Sequence, residues 1–221
     1  MQFIDRRAIK ADAKYLVRTG RRSVIGMSLI YMLISLALSG MDLLFSYLGI
    51  AGAAFVSVLI SLLTVVLSAG FVLFCMGIRS GEETPFSVLF DGFGMAGKII
   101  WLSILEGIFI TLWSMLFVIP GIVAAYRYRF ALYNLLENPD LTASQAIALS
   151  KIQTNGMKGK LFMLDLSFLG WAIVCTLTAG LLGIWLTPYM QLADLGYYEI
   201  GKQVFSPFPN EFRNDENALK F

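Results

Sequence analysis

The chain has 221 residues, of which 57% are hydrophobic and only 14% are charged. This composition excludes an ordinary soluble domain and is typical of a protein with several membrane-spanning helices. The formal net charge of +2 is too small to indicate a nucleic-acid partner. Histidine is absent, which excludes imidazole metal sites and Ser–His or Cys–His catalysis. The carboxylates lack the spacing of a metal site, so we expect a protein without enzymatic activity, metal or other cofactor.

Residues 1–22 are predicted to form an amphipathic helix on the cytosolic side of a membrane. One stripe of this helix is apolar and contains Ile9, Ala13 and Leu16. The other stripe is basic and contains Arg7, Lys10, Lys14 and Arg18. A helix with these two stripes would lie on an anionic lipid surface.

Six apolar segments are predicted to cross a bilayer, whose hydrocarbon core of about 30 Å needs about 20 helical residues. They cover roughly 23–40, 54–78, 98–119, 122–137, 161–178 and 182–203. We expect the first of them to be retained, although Ala37-Leu38-Ser39 resembles a signal-peptidase site, because acidic residues precede the apolar run. Polar connectors with short amphipathic helices link the segments on one side, and 204–221 is predicted to be a polar cytosolic tail.

The basic residues predict the orientation. Those outside the apolar segments precede the first segment, lie in the connectors 79–98 and 138–160, or lie at or beyond the end of the sixth segment. The three loops on the opposite side contain no Lys or Arg. The positive-inside rule therefore places both termini in the cytosol. The predicted class is an all-α, polytopic membrane protein with six transmembrane helices in three hairpins.

An internal repeat fits this arrangement. Gly94-Met95-Ala96-Gly97-Lys98 before the third segment matches Gly156-Met157-Lys158-Gly159-Lys160 before the fifth. A single transmembrane domain, 1–203, would then contain the pseudo-repeats 1–78, 79–137 and 138–203. The alternative is that any helix entering from the cytosol tends to begin with glycine and a cation.

Several ionisable residues lie inside the apolar segments, where they are costly and call for a partner or a function. They are Glu106, Arg127, Arg129, Asp165 and Asp194. At about 1.5 Å per residue they lie at similar depth, roughly 8 to 15 Å from the cytosolic side. We expect Glu106 to pair with one arginine, while the other snorkels or pairs with Asp165 or Asp194. This charged layer either fixes helix register or forms a polar cavity, a proton path or a lipid-headgroup site.

Two features predict breaks in the apolar helices. Pro120-Gly121 is predicted to end the third helix and reverse the chain. Pro188 lies inside the sixth segment, where it removes a backbone donor and predicts a kink.

Most of the chain resembles the bacterial domain-of-unknown-function family 975, and the resemblance is specific in the second half. The resemblance lies in Leu112–Val123 with Tyr126 and Tyr128, Asn138-Pro139 with Ala146-Ile147 and Ser150, Gly156–Phe162, Leu166–Trp171, and Pro188-Tyr189 with Tyr197-Tyr198. It implies an integral protein of a bacterial plasma membrane, since members of the family are uncharacterised membrane proteins found mainly in Gram-positive bacteria. It implies no activity.

Two functions follow as expectations. The basic cytosolic face and the amphipathic connectors favour a non-enzymatic membrane protein that binds lipid or a partner protein in envelope homeostasis or export. Its partners would be membrane lipids and a second copy or another membrane protein, and not nucleic acid. The charged layer and Pro188 favour the alternative, a small transporter or channel.

Overall fold

The structure is a computed structural model that describes residues 5–45, 47, 49–178 and 180–204. These residues are helical with no strand, which confirms the all-α class. The α-helices are α1 (Arg6–Thr19), α2 (Arg21–Phe45), α3 (Ile50–Ser80), α4 (Ala96–Leu116), α5 (Val118–Tyr128), α6 (Ala131–Glu137), α7 (Ala143–Gln153), α8 (Lys158–Leu177) and α9 (Gly183–Val204). A 3-10 helix, Phe86–Met95, precedes α4. The predicted tail beyond Val204 lies outside the described residues.

Four helical segments of the described chain are long and apolar enough to cross a membrane. They are Ser23–Phe45, Ile50–Ser80, Phe86–Leu116 and Lys158–Leu177. The segment predicted at 122–137 is helical but is divided into α5 and α6. The last predicted segment forms α9, which has 22 residues and continues past Pro188. Its polar residues, among them Gln191 and Asp194, make α9 less apolar than these four segments.

The apolar face of α1 packs on α9, so it is not left free for a lipid surface as the sequence had suggested. Ile9, Ala13 and Val17 are buried in this contact, whereas Leu16 is only half-buried. A Cβ atom at Gly196 of α9 would lie 2.8 Å from Cγ2 of Ile9, so the glycine permits the close approach. Arg79 at the end of α3 joins the two helices, 3.2 Å from Asp12 and 2.7 Å from Glu199.

The connector after α3 folds back along that helix. Its 3-10 helix packs on the middle of α3, and Leu89 is fully buried there. A Cβ atom at Gly70 would lie 1.9 Å from the carbonyl oxygen of Leu89, and one at Gly92 would lie 2.7 Å from that of Val66. These two glycines allow the backbones to touch. The short amphipathic helix predicted in this connector therefore packs one side on α3 through Leu89, while Phe86 and Phe90 stay exposed.

The chain reverses between α4 and α5 at Phe117, three residues before the predicted position. Phe117 is extended, with φ −158° and ψ 148°, and is the single residue between the two helices. Pro120 lies in the first turn of α5, where its missing N–H costs nothing. Gly121 is buried against α4, because a Cβ atom there would lie 2.0 Å from Oγ of Ser114. Pro120-Gly121 thus does not end a helix. The proline suits the first turn of α5, and the glycine allows α5 to pack closely on α4.

The two ends of the molecule differ in their surface. Buried side chains concentrate in the second half of α3, in α6 and α7, and along α9. At the other end, the outer parts of α2, α3, α4, α5 and α8 expose large apolar side chains. Examples are Leu43, Phe55, Met115, Ile119 and Leu177. A continuous apolar surface of this kind is typical of a region covered by lipid.

Candidate functional site

A helix break places Arg129 inside the molecule. The helical path stops at Arg129-Phe130 between α5 and α6, which leaves backbone groups without helical partners. Ser150 of α7 satisfies two of them: its hydroxyl donates to the carbonyl oxygen of Arg127 over 2.9 Å and accepts from the N–H of Phe130 over 3.1 Å. Thr154 donates to the same carbonyl over 3.2 Å. Helix α7 therefore holds the backbone that presents the Arg129 side chain.

Arg129 forms ion pairs with two carboxylates from two other helices. Its Nη1 and Nη2 donate to the Asp165 oxygens of α8 over 2.6 and 2.8 Å, a bidentate contact. Its Nε and Nη2 donate to Oδ2 of Asp194 in α9 over 3.1 and 2.7 Å. The Tyr126 hydroxyl donates to Oδ2 of Asp165 over 2.7 Å. We call Arg129, Asp165 and Asp194 the Arg129 cluster.

The Arg129 cluster carries an excess of negative charge, because one guanidinium faces two carboxylates. The exposed fractions of the side chains are 24% for Arg129, 30% for Asp165 and 13% for Asp194. Oδ1 of Asp194 is buried and accepts no hydrogen bond within the described chain. Removing one member of a buried ion pair typically costs about 3 to 5 kcal/mol, since the other charge stays behind. The cluster ties the α5–α6 break to α8 and α9.

The predicted pairing of Glu106 with an arginine is wrong. Arg129 directs its side chain to the two aspartates, and Arg127 is exposed. Glu106 forms no hydrogen bond or ion pair with any side chain that the structure describes. That these residues lie at similar depth in a membrane stays a prediction. The ion pairs bring Arg129, Asp165 and Asp194 to one level of the helix bundle.

Glu106 and Arg129 both line a cavity of ≈ 320 Å³ between α2, α3, α4, α5, α6 and α9. The lining also includes Tyr31, Phe71, Tyr133 and Gln191. Nε2 of Gln191 donates to the Tyr133 hydroxyl over 2.9 Å, and the rings of Tyr31 and Phe71 stack with centroids 4.8 Å apart. The cavity thus combines an unpaired carboxylate with amide and hydroxyl groups and aromatic faces.

A second cavity, of ≈ 310 Å³, is basic. We call it the basic pocket; its lining includes Arg6 and Arg7 of α1, Lys160 at the start of α8, and Met163 and Tyr197. Nη1 of Arg6 donates to the carbonyl oxygen of Met163 over 3.1 Å. Asp5 also lines the pocket and caps α1 by accepting from the N–H of Arg7 over 2.8 Å. Three cations and one carboxylate give the pocket a positive balance.

The four cations predicted to lie on a lipid surface have different surroundings in the structure. Arg7 lines the basic pocket, and Lys14 and Arg18 are exposed elsewhere on α1. Lys10 instead points toward α8, where Nζ donates to Oγ of Ser167 over 3.1 Å and lies 4.4 Å from the centre of the Phe168 ring. Burial and the neighbouring Arg6 lower the pKa of Lys10 below its ordinary value.

Sequence reasoning missed a buried amide network beside the cluster. Asn134 of α6 and Gln153 of α7 exchange two hydrogen bonds of 2.9 Å, and the Tyr198 hydroxyl donates to Oδ1 of Asn134 over 3.1 Å. The signal was present, since Ser150, Gln153 and Thr154 share one face of α7 at helical spacing. Within the described chain, no group of three or more Cys, Asp or Glu residues is placed to hold a metal ion.

The comparison with known families confirms the resemblance. The family described as "Protein of unknown function (DUF975)" matches residues 115–203. The matched segment includes the whole Arg129 cluster and Ser150, whereas Glu106 precedes it. No curated protein and no solved structure matches the chain.

Proposed function

We propose that this chain, whose residues 115–203 match DUF975, is a non-enzymatic integral membrane protein that binds anionic lipid. It crosses a bacterial plasma membrane six times, through α2, α3, α4, α5–α6, α8 and α9, with both termini in the cytosol. The exposed apolar end supports membrane residence. The distribution of basic residues supports the orientation. The role that we propose for it is in envelope homeostasis or export, which are processes of the plasma membrane.

The basic pocket carries the lipid proposal. A phosphate group between Arg7 and Lys160 would receive charge-assisted hydrogen bonds. It would also face the first turn of α8, whose free N–H groups favour an anion. Exposed apolar side chains of α8, such as Phe162 and Leu166, continue from the pocket and suit an acyl chain. Headgroup and chain thus have adjoining surfaces on one helix.

Native mass spectrometry of the purified protein tests this proposal. We expect phosphatidylglycerol to remain bound and phosphatidylcholine to dissociate. A basic residue near an anionic surface contributes about 1 kcal/mol, so Arg7→Gln with Lys160→Gln should weaken phosphatidylglycerol binding by about tenfold or more. Lys14→Gln with Arg18→Gln is the control, because it removes equal charge from the exposed part of α1. Equal losses in the two double variants would refute a specific pocket. The same spectra report any bound second copy or partner protein.

The cavity lined by Glu106 and Arg129, which we call the central cavity, favours a second function, that of a small transporter or channel. Intramembrane charges beside a cavity are typical of ion and proton paths. In liposomes containing the protein and a pH-sensitive dye, an imposed potential should then drive proton entry that Glu106→Gln abolishes. Proton entry equal to that of protein-free liposomes would exclude proton conduction through the cavity.

A further inference from the structure

We propose that the central cavity binds a small organic ammonium ion, with Glu106 as its counter-ion. The inference goes beyond lipid binding at the basic pocket and involves different residues. It holds whether the cation is transported or only bound.

The charges around the cavity favour a cation. Glu106 and the Arg129 cluster together contain three carboxylates and one guanidinium. Nε, Nη1 and Nη2 of Arg129 all donate to Asp165 or Asp194, so this guanidinium is already neutralised. Lys151 lies 5.8 Å from the centre of the Tyr128 ring, but it does not line the cavity and forms no ion pair with Glu106. An anionic ligand would therefore meet an uncompensated carboxylate, which is costly at low dielectric.

The lining selects an organic cation over a metal ion. Metal cations of the hard type take six or more oxygen ligands, usually from several carboxylates. This cavity offers one carboxylate together with the rings of Tyr31, Phe71, Tyr128 and Tyr133. Aromatic faces attract quaternary and primary ammonium groups through their ring quadrupoles. An apolar ligand such as an acyl chain would leave Glu106 buried without compensation.

The size of the cavity limits the ligand. Its ≈ 320 Å³ lies at the lower end of the range for small-molecule sites, about 300 to 1,000 Å³. An ammonium group with a short polar arm fits this space. The arm can reach Gln191, whose amide nitrogen is held by Tyr133 and whose carbonyl oxygen accepts no hydrogen bond from a described residue. Choline and ethanolamine have this chemistry, either as free cations or as lipid headgroups.

Isothermal titration of the full chain in phosphatidylglycerol nanodiscs tests the inference, with choline as the probe. The control ligand is 3,3-dimethylbutan-1-ol, which has the same shape without the charge. We expect choline to bind at least about tenfold more tightly than the alcohol, because only choline pairs with Glu106. Equal affinities for the two would overturn the proposal.

Matched variants locate the site. Glu106→Gln should weaken choline binding by at least about tenfold, whereas Glu83→Gln, an exposed change outside the cavity, should leave it unaltered. Tyr31→Leu should weaken binding and Tyr31→Phe should preserve it, which keeps the test valid if Glu106→Gln fails to fold. Retained affinity in both Glu106→Gln and Tyr31→Leu would refute the site. Arg7→Gln with Lys160→Gln should not alter choline affinity, so this result is separate from that for the basic pocket.

A change of lipid distinguishes a lipid headgroup from a free cation as the occupant of the site. In nanodiscs containing phosphatidylethanolamine, loss of choline binding would identify a lipid headgroup as the occupant. Unchanged choline affinity would identify a free organic cation, and not a lipid headgroup, as the occupant. Both results support an ammonium site.

Discussion

The hydroxyl of Ser150 donates to the carbonyl oxygen of Arg127 over 2.9 Å, and this contact ties α7 to the helix break that presents Arg129. Because the same hydroxyl accepts from the N–H of Phe130, one small side chain replaces two backbone hydrogen bonds that the break removes. The buried Ser150 thus supports the geometry of a charged cluster that it does not touch.

Ser150→Ala should lower the free energy of unfolding by about 1 to 3 kcal/mol, because it leaves a buried N–H without its partner. SDS titrations in mixed micelles measure this change. Ser144→Ala, on the exposed side of α7, is the control and should have little effect. Equal midpoints for Ser150→Ala and the original protein would contradict the role of Ser150.

Arg129→Gln should lower the free energy of unfolding by about 3 to 5 kcal/mol, since two carboxylates lose their cation. Adding Asp194→Asn should recover part of this loss, so the double change costs less than the sum of the single changes. The same titrations measure each variant. The exposed Arg127 is the control, and Arg127→Gln should cost little.

The coupling of Glu106 to Arg129 should differ from that of Asp194 to Arg129. Because Glu106 forms no ion pair with the described residues, Glu106→Gln should couple to Arg129→Gln more weakly than Asp194→Asn does. A coupling energy as large as that between Arg129 and Asp194 would indicate a direct pair and contradict the described geometry.

Gly121→Ala should destabilise the protein clearly, because the new methyl group would lie 2.0 Å from Oγ and 2.9 Å from Cα of Ser114. Gly107→Ala in α4 is the matched control. No atom lies within 4 Å of a Cβ there, so that change should stabilise the helix by up to about 1 kcal/mol. Thermal unfolding in detergent compares the two. Similar melting temperatures would mean that α4 and α5 do not approach as described.

The proposed six crossings differ from four in the sidedness of two exposed positions. If α5–α6 and α9 both cross, Asp140→Cys faces the cytosol and Leu181→Cys faces outward. If only the four apolar segments cross, both positions change sides. In a protein with Cys75→Ala and Cys175→Ala, a membrane-impermeant maleimide on intact cells should label position 181 and not 140. The reverse pattern would refute six crossings with both termini in the cytosol.

Helix positions were predictable from sequence, because apolar runs and their polar connectors determine where helices form. That Arg129, Asp165 and Asp194 lie at one level of the helix bundle was predictable for the same reason, since level follows from counting residues along a helix. The choice of ion-pair partners among these side chains was not predictable. It depends on helix rotation and on the break at Arg129-Phe130, which no proline or glycine marks. The turn at Phe117 was missed because Pro120-Gly121 is a stronger local signal than an extended phenylalanine.

The contact between α1 and α9 has a consequence for biosynthesis. The two helices are separated by most of the sequence, so α1 is made long before the surface that buries Ile9 and Ala13 exists. At about 5 to 20 residues per second, a ribosome needs roughly ten seconds or more to reach α9. During that interval the apolar stripe of α1 lacks the helix that covers it in the folded protein. Once α9 is in place it covers this stripe, and Arg79 joins Asp12 of α1 to Glu199 of α9.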